Sequence, residues 1–453
     1  MASTLFRRLG IATLDAAGTV HTQANLLVEG NRIAYIGQEE RPADRVVDGD
    51  GCLAIPGLIN THHHLYQTLT RVMPEVQSAE LFPWLVAQYP VWARMGGEAV
   101  KVSSQISLAE MLLSGCTTAS DMFYVFPRGS DVSLEHVIEA AAELGIRLHA
   151  GRGSMSLGQC AGGLPPDSVV QTQEEILADT ELMIDRHHQA EPGGMVRIDV
   201  MPCSPFSVTR ELMEASRDLA RRRGVLLHTH LAETLDEERF CIERFGMRPL
   251  AYLEAMGWLG EDVYVAHGIH FNDEELDLLA RTKTGVAHCP SSNMRLGSGI
   301  CRVVEMRQRG VRVGLAVDGS ASNDGNNLLL EARQALLLAR LRTGASSMTP
   351  LDALRLATNG SADVLHRPEL GSLEVGKVAD IAIFDLNRIE YAGAVEQDPV
   401  GALLLCHPTP PRYVMINGEI RVEHGAIKGL DLERLLKRHN ELVRALRGQP
   451  ERV

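Results

Sequence analysis

Short apolar runs alternate with helix-like segments through the middle of the chain. Intervening segments such as SLAEMLLSG and LLEARQALLLARL carry apolar residues at helical spacing. A repeated strand-then-helix unit implies a parallel sheet, and eight such strands predict a closed (β/α)8 TIM barrel, with a doubly wound open sheet as the alternative. No Gly-rich dinucleotide or phosphate-binding pattern favours the open sheet. The predicted strands are 55–62, 117–121, 146–151, 196–202, 224–231, 263–268, 284–290 and 311–319.

The two ends of the chain follow a different pattern, in which short apolar runs are separated by turn residues. LLVEGNRIAYIG (26–37) and VVDGDGCLAIPG (46–57) predict antiparallel strands, and so do GKVADIAIFDLN (376–387) and RYVMINGEIRVEHGAI (412–427). Both ends therefore predict halves of one small β-sandwich domain. We expect its first half at 1–55, the barrel at 56–370, and its second half with a terminal helix at 371–453.

The composition is that of an ordinary globular protein with an acidic surface. The 453 residues are 45% hydrophobic and 23% charged, and the net charge is −14. This balance disfavours a nucleic-acid polymer as partner and favours a small neutral substrate. No apolar run approaches the roughly 18 residues of a membrane span, so we expect a cytoplasmic protein without a membrane partner. Barrel enzymes of this size commonly associate, and a homo-oligomer is expected.

The strongest chemical signal follows the first predicted strand, where PGLINTHHH ends in three histidines. Residues two apart on a strand face the same side, so His62 and His64 can reach one ion while His63 points away. A cluster of polar histidines at the barrel mouth is the alternative. The sequence predicts a metal-binding pair.

A second histidine pair lies in the run GVLLHTHLAET, where His228 and His230 share a face. His230 is nearer the C-terminal end of its strand, where barrel enzymes place their active sites, so it is the predicted ligand. His228 is expected one layer deeper as a core residue. Glu233 follows in the loop, at the position of a general acid or base, although it could merely cap the next helix.

The later strands add a histidine and a carboxylate at matching ends. VAHG offers His267, with His270 just beyond, and VRVGLAVDG ends in Asp318. An ionised carboxylate is costly there unless a metal or a proton-transfer partner holds it. The fourth strand ends without a lysine that could bridge two metals, so we expect one divalent metal. Zinc is favoured, and iron(II), cobalt(II) or manganese(II) are acceptable to the same residues.

The segments PGLINTHHH, HTHLAE, AHGIHF, HCPSSNMRLGSG and DGSASND resemble, in this order, the amidohydrolase superfamily in its mononuclear deaminase branch. The resemblance covers essentially the whole chain, including the divided β domain. It implies one metal held by His62, His64, His230 and Asp318. It also implies that Gln67, Glu233 and His267 contact the substrate, and that Glu233 and Asp318 move protons while His267 orients the activated water.

The flanking segments imply the substrate class within that family. HHHLYQTLTR, LFPWL and PCSPFSVT resemble purine deaminases of that family, and this resemblance implies deamination of an aminopurine in purine catabolism, with 8-oxoguanine and water giving uric acid and ammonia. Guanine deaminases carry an arginine before the phenylalanine that follows the fourth strand, where this chain has Pro205 before Phe206, which weakens guanine as substrate. Guanine or pterin deamination, triazine hydrolysis, and a non-enzymatic purine- or metal-binding protein are the alternatives. Trp84, Tyr124 and Phe206 are candidates for holding the flat base.

Overall fold

The computed structural model describes residues 2–448 and divides them into a barrel and a separate sheet. The strands are β1 (Ser3–Ala12), β2 (Val20–Glu29), β3 (Arg32–Gly37), β4 (Arg45–Asp48), β5 (Cys52–Pro56), β6 (Leu58–Asn60), β7 (Cys116–Phe123), β8 (Arg147–Ser154), β9 (Val196–Pro202), β10 (Leu227–Leu231), β11 (Val263–His267), β12 (Gly285–His288), β13 (Val313–Leu315), β14 (Ile381–Asp385), β15 (Tyr413–Ile416), β16 (Glu419–Glu423) and β17 (Ala426–Ile427).

The helices lie mainly between consecutive barrel strands, and within residues 2–448 none is long and apolar enough to cross a membrane. They are α1 (Leu81–Trp92), α2 (Gly97–Leu112), α3 (Glu135–Leu144), α4 (Gln173–His187), α5 (Arg210–Arg223), α6 (Leu235–Phe245), α7 (Pro249–Ala255), α8 (Asp273–Thr282), α9 (Pro290–Arg295), α10 (Val303–Gln308), α11 (Leu328–Thr343), α12 (Pro350–Arg355), α13 (Ser361–Val364), α14 (Pro399–Leu405) and α15 (Leu432–Arg447).

Strands β6 to β13 form the predicted parallel barrel, each paired with its neighbours in chain order. The first and last strands approach each other at the mouth, where the N–H of Thr61 donates to the carbonyl of Leu315 at 3.0 Å. The N–H of Asp318 donates to the carbonyl of His62 at 3.2 Å. These bonds bring the ends of the first and eighth strands together, so the predicted barrel is confirmed.

The two ends of the chain build one mixed nine-stranded sheet, as the turn-rich patterns predict. β5 pairs antiparallel with β14, so residues before the barrel are joined to residues after it. Side chains from both ends, among them Phe6, Ile11, Ile381 and Met415, form a hydrophobic cluster separate from the barrel core. The boundaries at 55 and 370 stay predictions, and residues 1 and 449–453 lie outside the described part of the chain.

A buried ion pair joins this sheet to the barrel. The guanidinium of Arg147, at the start of β8, contacts the carboxylate of Asp380, just before β14, with N–O distances of 3.0 and 3.3 Å. Its remaining donors reach the carbonyls of Gly193 and Gly194. Because both charged side chains are almost fully buried, the pair is satisfied only when the two parts of the chain are correctly docked.

The long connection after β6 covers one side of the barrel mouth. It contains a 3-10 helix at Leu65–Thr70 and then α1. The buried positions of α1 recur every three or four residues, which places them on one face of the helix. They are Leu81, Trp84, Leu85, Gln88, Tyr89 and Trp92.

Candidate metal centre and substrate pocket

His62 is held from behind by a second histidine. The Nδ1 of His62 lies 2.8 Å from the Nε2 of His228, and the Nδ1 of His228 lies 2.9 Å from the carbonyl oxygen of Tyr264. A carbonyl only accepts, so His228 is protonated at Nδ1 and its Nε2 accepts the proton of His62. Burial lowers the pKa of both imidazoles, which keeps them neutral. The Nε2 of His62 is therefore unprotonated.

His64 and His230 are oriented in the same way by backbone carbonyls. The Nδ1 of His64 donates to the carbonyl of Met122 at 2.8 Å, and the Nδ1 of His230 donates to that of Cys203 at 2.6 Å. Burial lowers the pKa of both rings, so each is neutral and presents an unprotonated Nε2. These two Nε2 atoms lie only 3.1 Å apart.

Asp318 closes the cluster from the eighth strand. Its φ of 61° is unusual for a residue other than glycine, and such backbone strain is concentrated at functional sites. One carboxylate oxygen accepts from Ser292 at 2.5 Å and from Ser322 at 3.0 Å. The other lies 3.3 Å from the Nε2 of His62 and 3.4 Å from that of His64. Burial would raise the pKa of Asp318, but the contact with His62, and positive charge on the neighbouring imidazoles whenever these are protonated, lower it well below its usual range.

The donor atoms of this cluster fit a divalent cation. Unprotonated nitrogens facing each other and a carboxylate repel unless a positive charge lies between them. The buried Nε2 of His62 has no hydrogen-bond partner in the described structure. Ligand atoms of His62, His230, His267 and Asp318 lie within 4.8 Å of one another, and His64 adjoins two of them at 3.1 and 3.4 Å. Three imidazoles and a carboxylate are a set that zinc accepts.

Glu233 and His267 stand beside the cluster. The Nε2 of His267 lies 3.5 Å from a carboxylate oxygen of Glu233, and its Nδ1 contacts the amide oxygen of Asn293 at 3.0 Å. Burial raises the pKa of Glu233 well above its usual range, and the charges of Asp318 and Glu237 raise it further. Its other carboxylate oxygen is buried without a partner. A raised pKa favours the protonated form of this carboxyl, which can then act as an acid.

A small pocket opens onto the cluster. All the candidate metal-binding and catalytic residues line this pocket except His62. The candidates for holding a flat ligand line it as well. The lining residues are His64, Gln67, Leu81, Trp84, Leu85, Tyr89, Tyr124, Cys203, Phe206, His230, Glu233, His267, Leu296, Asp318 and Ser322.

Two other histidines of these motifs point elsewhere. The Nε2 of His63 pairs with the amide oxygen of Asn326 at 2.8 Å, and burial lowers the pKa of this imidazole to about 3. The Nε2 of His270 donates to the carbonyl of Ser298 at 3.0 Å. Neither residue lines the pocket. His63 points away from the cluster, as the sequence predicts, although residues 61–64 lie beyond the end of β6 and not on a strand.

Sequence reasoning missed most of the wall that α1 contributes. Leu81, Leu85 and Tyr89 line the pocket together with Trp84, and Leu296 adds an apolar contact from beyond α9. The three- and four-residue spacing in LFPWLVAQYPVW was a usable signal for a buried helix face. Nothing in that spacing indicates whether the face packs on the core or on a ligand.

Comparison with known proteins agrees with this architecture. The amidohydrolase family model matches residues 53–421. The chain is 51% identical to 8-oxoguanine deaminase from Pseudomonas aeruginosa over 96% of both chains. It is 38% identical to hydroxydechloroatrazine ethylaminohydrolase from a Pseudomonas species, covering 98% of this chain and 94% of that one. It superposes on atrazine chlorohydrolase from Arthrobacter aurescens complexed with zinc, with a TM-score of 0.93, 34% identity, and 97% and 100% coverage.

The chain belongs to the amidohydrolase family. It is an enzyme of that family and, by its similarity across nearly the whole length to a deaminase, a hydrolytic deaminase.

Proposed function

We propose that the protein deaminates 8-oxoguanine hydrolytically, giving uric acid and ammonia. The observation that carries the proposal is Glu233, a buried carboxyl that lines the same pocket as a cluster of imidazole nitrogens and whose pKa is raised by burial. Hydrolysis of a ring amidine needs both an activated water and an acid for the ring nitrogen. The similarity to 8-oxoguanine deaminase over 96% of both chains supports this purine as the substrate.

The residues proposed to hold the metal are His62, His64, His230 and Asp318, with zinc as the favoured ion. A divalent metal bound there supplies Lewis acidity that lowers the pKa of a water molecule toward neutrality. His228, the carbonyls of Met122 and Cys203, and the serine hydroxyls on Asp318 fix the orientation of these side chains. Such supporting hydrogen bonds maintain a site in the geometry that it needs.

Three side chains would then divide the proton transfers. Glu233 donates its proton to the ring nitrogen next to the amino-bearing carbon as water adds to that carbon. Asp318 accepts one proton of the attacking water and passes it to the departing amino group, and Glu233 regains its proton from the hydroxyl of the tetrahedral centre as the C–N bond breaks and the carbonyl forms. His267, close to Glu233, orients the attacking water and stabilises charge on its oxygen. The products are uric acid and ammonia.

Gln67 is proposed to bind the edge of the purine. Its amide oxygen accepts from the backbone N–H of Ala321 at 3.4 Å, which leaves the amide N–H groups available to the pocket. A Cβ at Gly319 would lie 1.8 Å from this amide oxygen, so the glycine gives the side chain its space. Phe206 and Tyr124 line the pocket and are proposed to hold the flat rings.

Triazine hydrolysis is the second candidate, because the similarity to hydroxydechloroatrazine ethylaminohydrolase and to atrazine chlorohydrolase also spans nearly the whole chain. The test is a panel of 8-oxoguanine, guanine, isoxanthopterin, a chlorotriazine and an alkylaminotriazine, assayed with zinc-loaded protein for ammonia, amine and chloride release. We expect ammonia release to be fastest with 8-oxoguanine. Faster turnover of either triazine would replace the proposed function with triazine hydrolysis.

A further inference from the structure

Two residues that line the pocket each carry a buried polar atom without the hydrogen bond that such groups normally make. The indole N–H of Trp84 and the hydroxyl of Tyr89 are buried and have no partner in the described structure. Both residues line the pocket, and they are only 3% and 1% exposed. An unpaired buried donor is costly in free energy and calls for an explanation. In the same pocket, Glu233 also has an unpaired oxygen, at the position proposed for catalysis.

On the same helix and outside the pocket, Trp92 has its polar atom paired within the protein, whereas the buried amide of Gln88 has no partner in the described structure. The indole N–H of Trp92 donates to the hydroxyl of Thr70 at 3.0 Å. Its ring packs edge-on against the rings of Trp84 and Tyr89, with centroids 5.6 and 5.8 Å away. The three rings therefore pack together as one aromatic cluster.

We propose that Trp84 and Tyr89 bind the oxygen at C8 of the purine and so select 8-oxoguanine over guanine. This inference rests on the proposed function and adds the residues that discriminate the substrate. The wall formed by α1 contains none of the metal-cluster residues. A purine that presents its C2 amino group to the cluster directs C8, at the opposite end of the bicyclic ring, away from it. Guanine carries only hydrogen at C8, so it leaves both donors unpaired.

The size of the effect follows from losing one buried hydrogen bond. Sites built to bond a substrate group reject analogues that lack it, because the protein group is then left without a partner. Tryptophan donates only, and tyrosine donates while its oxygen can also accept from a ring N–H beside C8. We expect each bond to contribute about tenfold or more to the preference for an 8-oxo ligand.

The test uses Trp84→Phe and Tyr89→Phe, which remove the polar atom and keep an aromatic ring. We measure kcat/KM for 8-oxoguanine and guanine, and the Kd of the products uric acid and xanthine by calorimetry. The variants should lose about tenfold for 8-oxoguanine and uric acid but less than about threefold for guanine and xanthine. Trp92→Phe is the matched control on the same helix and should lower the melting temperature. It should leave unchanged the ratio of kcat/KM for 8-oxoguanine to that for guanine, and the ratio of Kd for uric acid to that for xanthine.

Equal losses for both members of each pair, or no loss, would overturn the inference. So would a wild-type protein that binds xanthine as tightly as uric acid. Failure of the proposed function has a different signature. In that case wild-type protein would not deaminate 8-oxoguanine. The Kd values of the variants for uric acid and xanthine would still decide whether residues of α1 bind an 8-oxo group.

Discussion

The Nδ1 of His62 lies 2.8 Å from the Nε2 of His228, and this contact determines which nitrogen of His62 faces the pocket. His228 is itself fixed by the carbonyl of Tyr264 and by stacking on the tyrosine ring, with centroids 4.0 Å apart. The ring that approaches the proposed metal is thus oriented by a residue that does not line the pocket. Partners of this kind usually influence metal affinity as well as geometry.

Replacing His228 should therefore weaken metal retention. His228→Ala removes the acceptor for His62, and we expect zinc affinity to fall about 10- to 100-fold. Chelator competition followed by metal analysis measures this directly. His188→Ala, at a half-buried histidine that contacts Ile198, is the control and should retain wild-type affinity. Unchanged affinity in His228→Ala would show that His62 needs no orienting partner.

Glu233→Gln separates proton transfer from metal binding. The amide cannot supply the proton that the buried carboxyl holds, so kcat should fall about 10²- to 10⁴-fold. Metal content and the melting temperature should stay close to those of the wild-type protein, because Glu233 is not a proposed ligand. Steady-state kinetics with metal analysis of the same sample checks both statements. Loss of metal would reassign Glu233 to the metal centre.

The ion pair between Arg147 and Asp380 should be a major contribution to stability. Asp380→Ala leaves a buried guanidinium without its carboxylate, and we expect the free energy of unfolding to fall by about 3–5 kcal/mol. Urea denaturation measures the change. The exposed pair of Arg438 and Glu98 is the matched control, and Glu98→Ala should cost no more than about 1 kcal/mol. Similar losses in the two variants would contradict this distinction.

Glu331 makes part of the stability dependent on pH. Burial raises its pKa from 4.5 to about 7, although it accepts hydrogen bonds from Ser291 and Asn323. The folded protein therefore binds this proton more tightly than the unfolded chain does. Stability from this group is fully present below pH 4.5 and is lost as pH rises through 7.

Glu331→Gln isolates this effect, because glutamine does not ionise. The cost of losing one hydrogen-bond acceptor is then the same at every pH. Between pH 4.5 and 8 the wild-type free energy of unfolding should fall more than that of the variant, by up to about 3 kcal/mol. Urea titrations of both proteins across this range measure the difference. Parallel pH profiles would show that Glu331 ionises normally in the folded protein.

The fold was predictable because its signals are local. Eight apolar runs separated by helical spacing correspond to β6–β13, and the turn-rich ends correspond to the mixed sheet. Positions two apart on a strand explain why His62 and His64 were candidates while His63 was not. Asp318 was recognisable because an ionised carboxylate at a buried strand end requires a partner.

The remaining features depend on residues far apart in the chain. His228 contacts His62 across 166 positions, and Arg147 contacts Asp380 across 233. No local pattern specifies such pairs. The spacing in α1 predicts a buried face, but which of its polar atoms lack partners follows only from packing in three dimensions.

The most direct test of the account is the product balance from 8-oxoguanine with zinc-loaded wild-type protein and Asp318→Asn. Uric acid is followed by absorbance and ammonia by a coupled assay, before and after removal of metal with a chelator. The account predicts that the wild-type protein releases one ammonia per uric acid formed. Both products should cease to form on chelation and form again when zinc is added, and Asp318→Asn should show no turnover. Uric acid formation that survives both chelation and Asp318→Asn would contradict it.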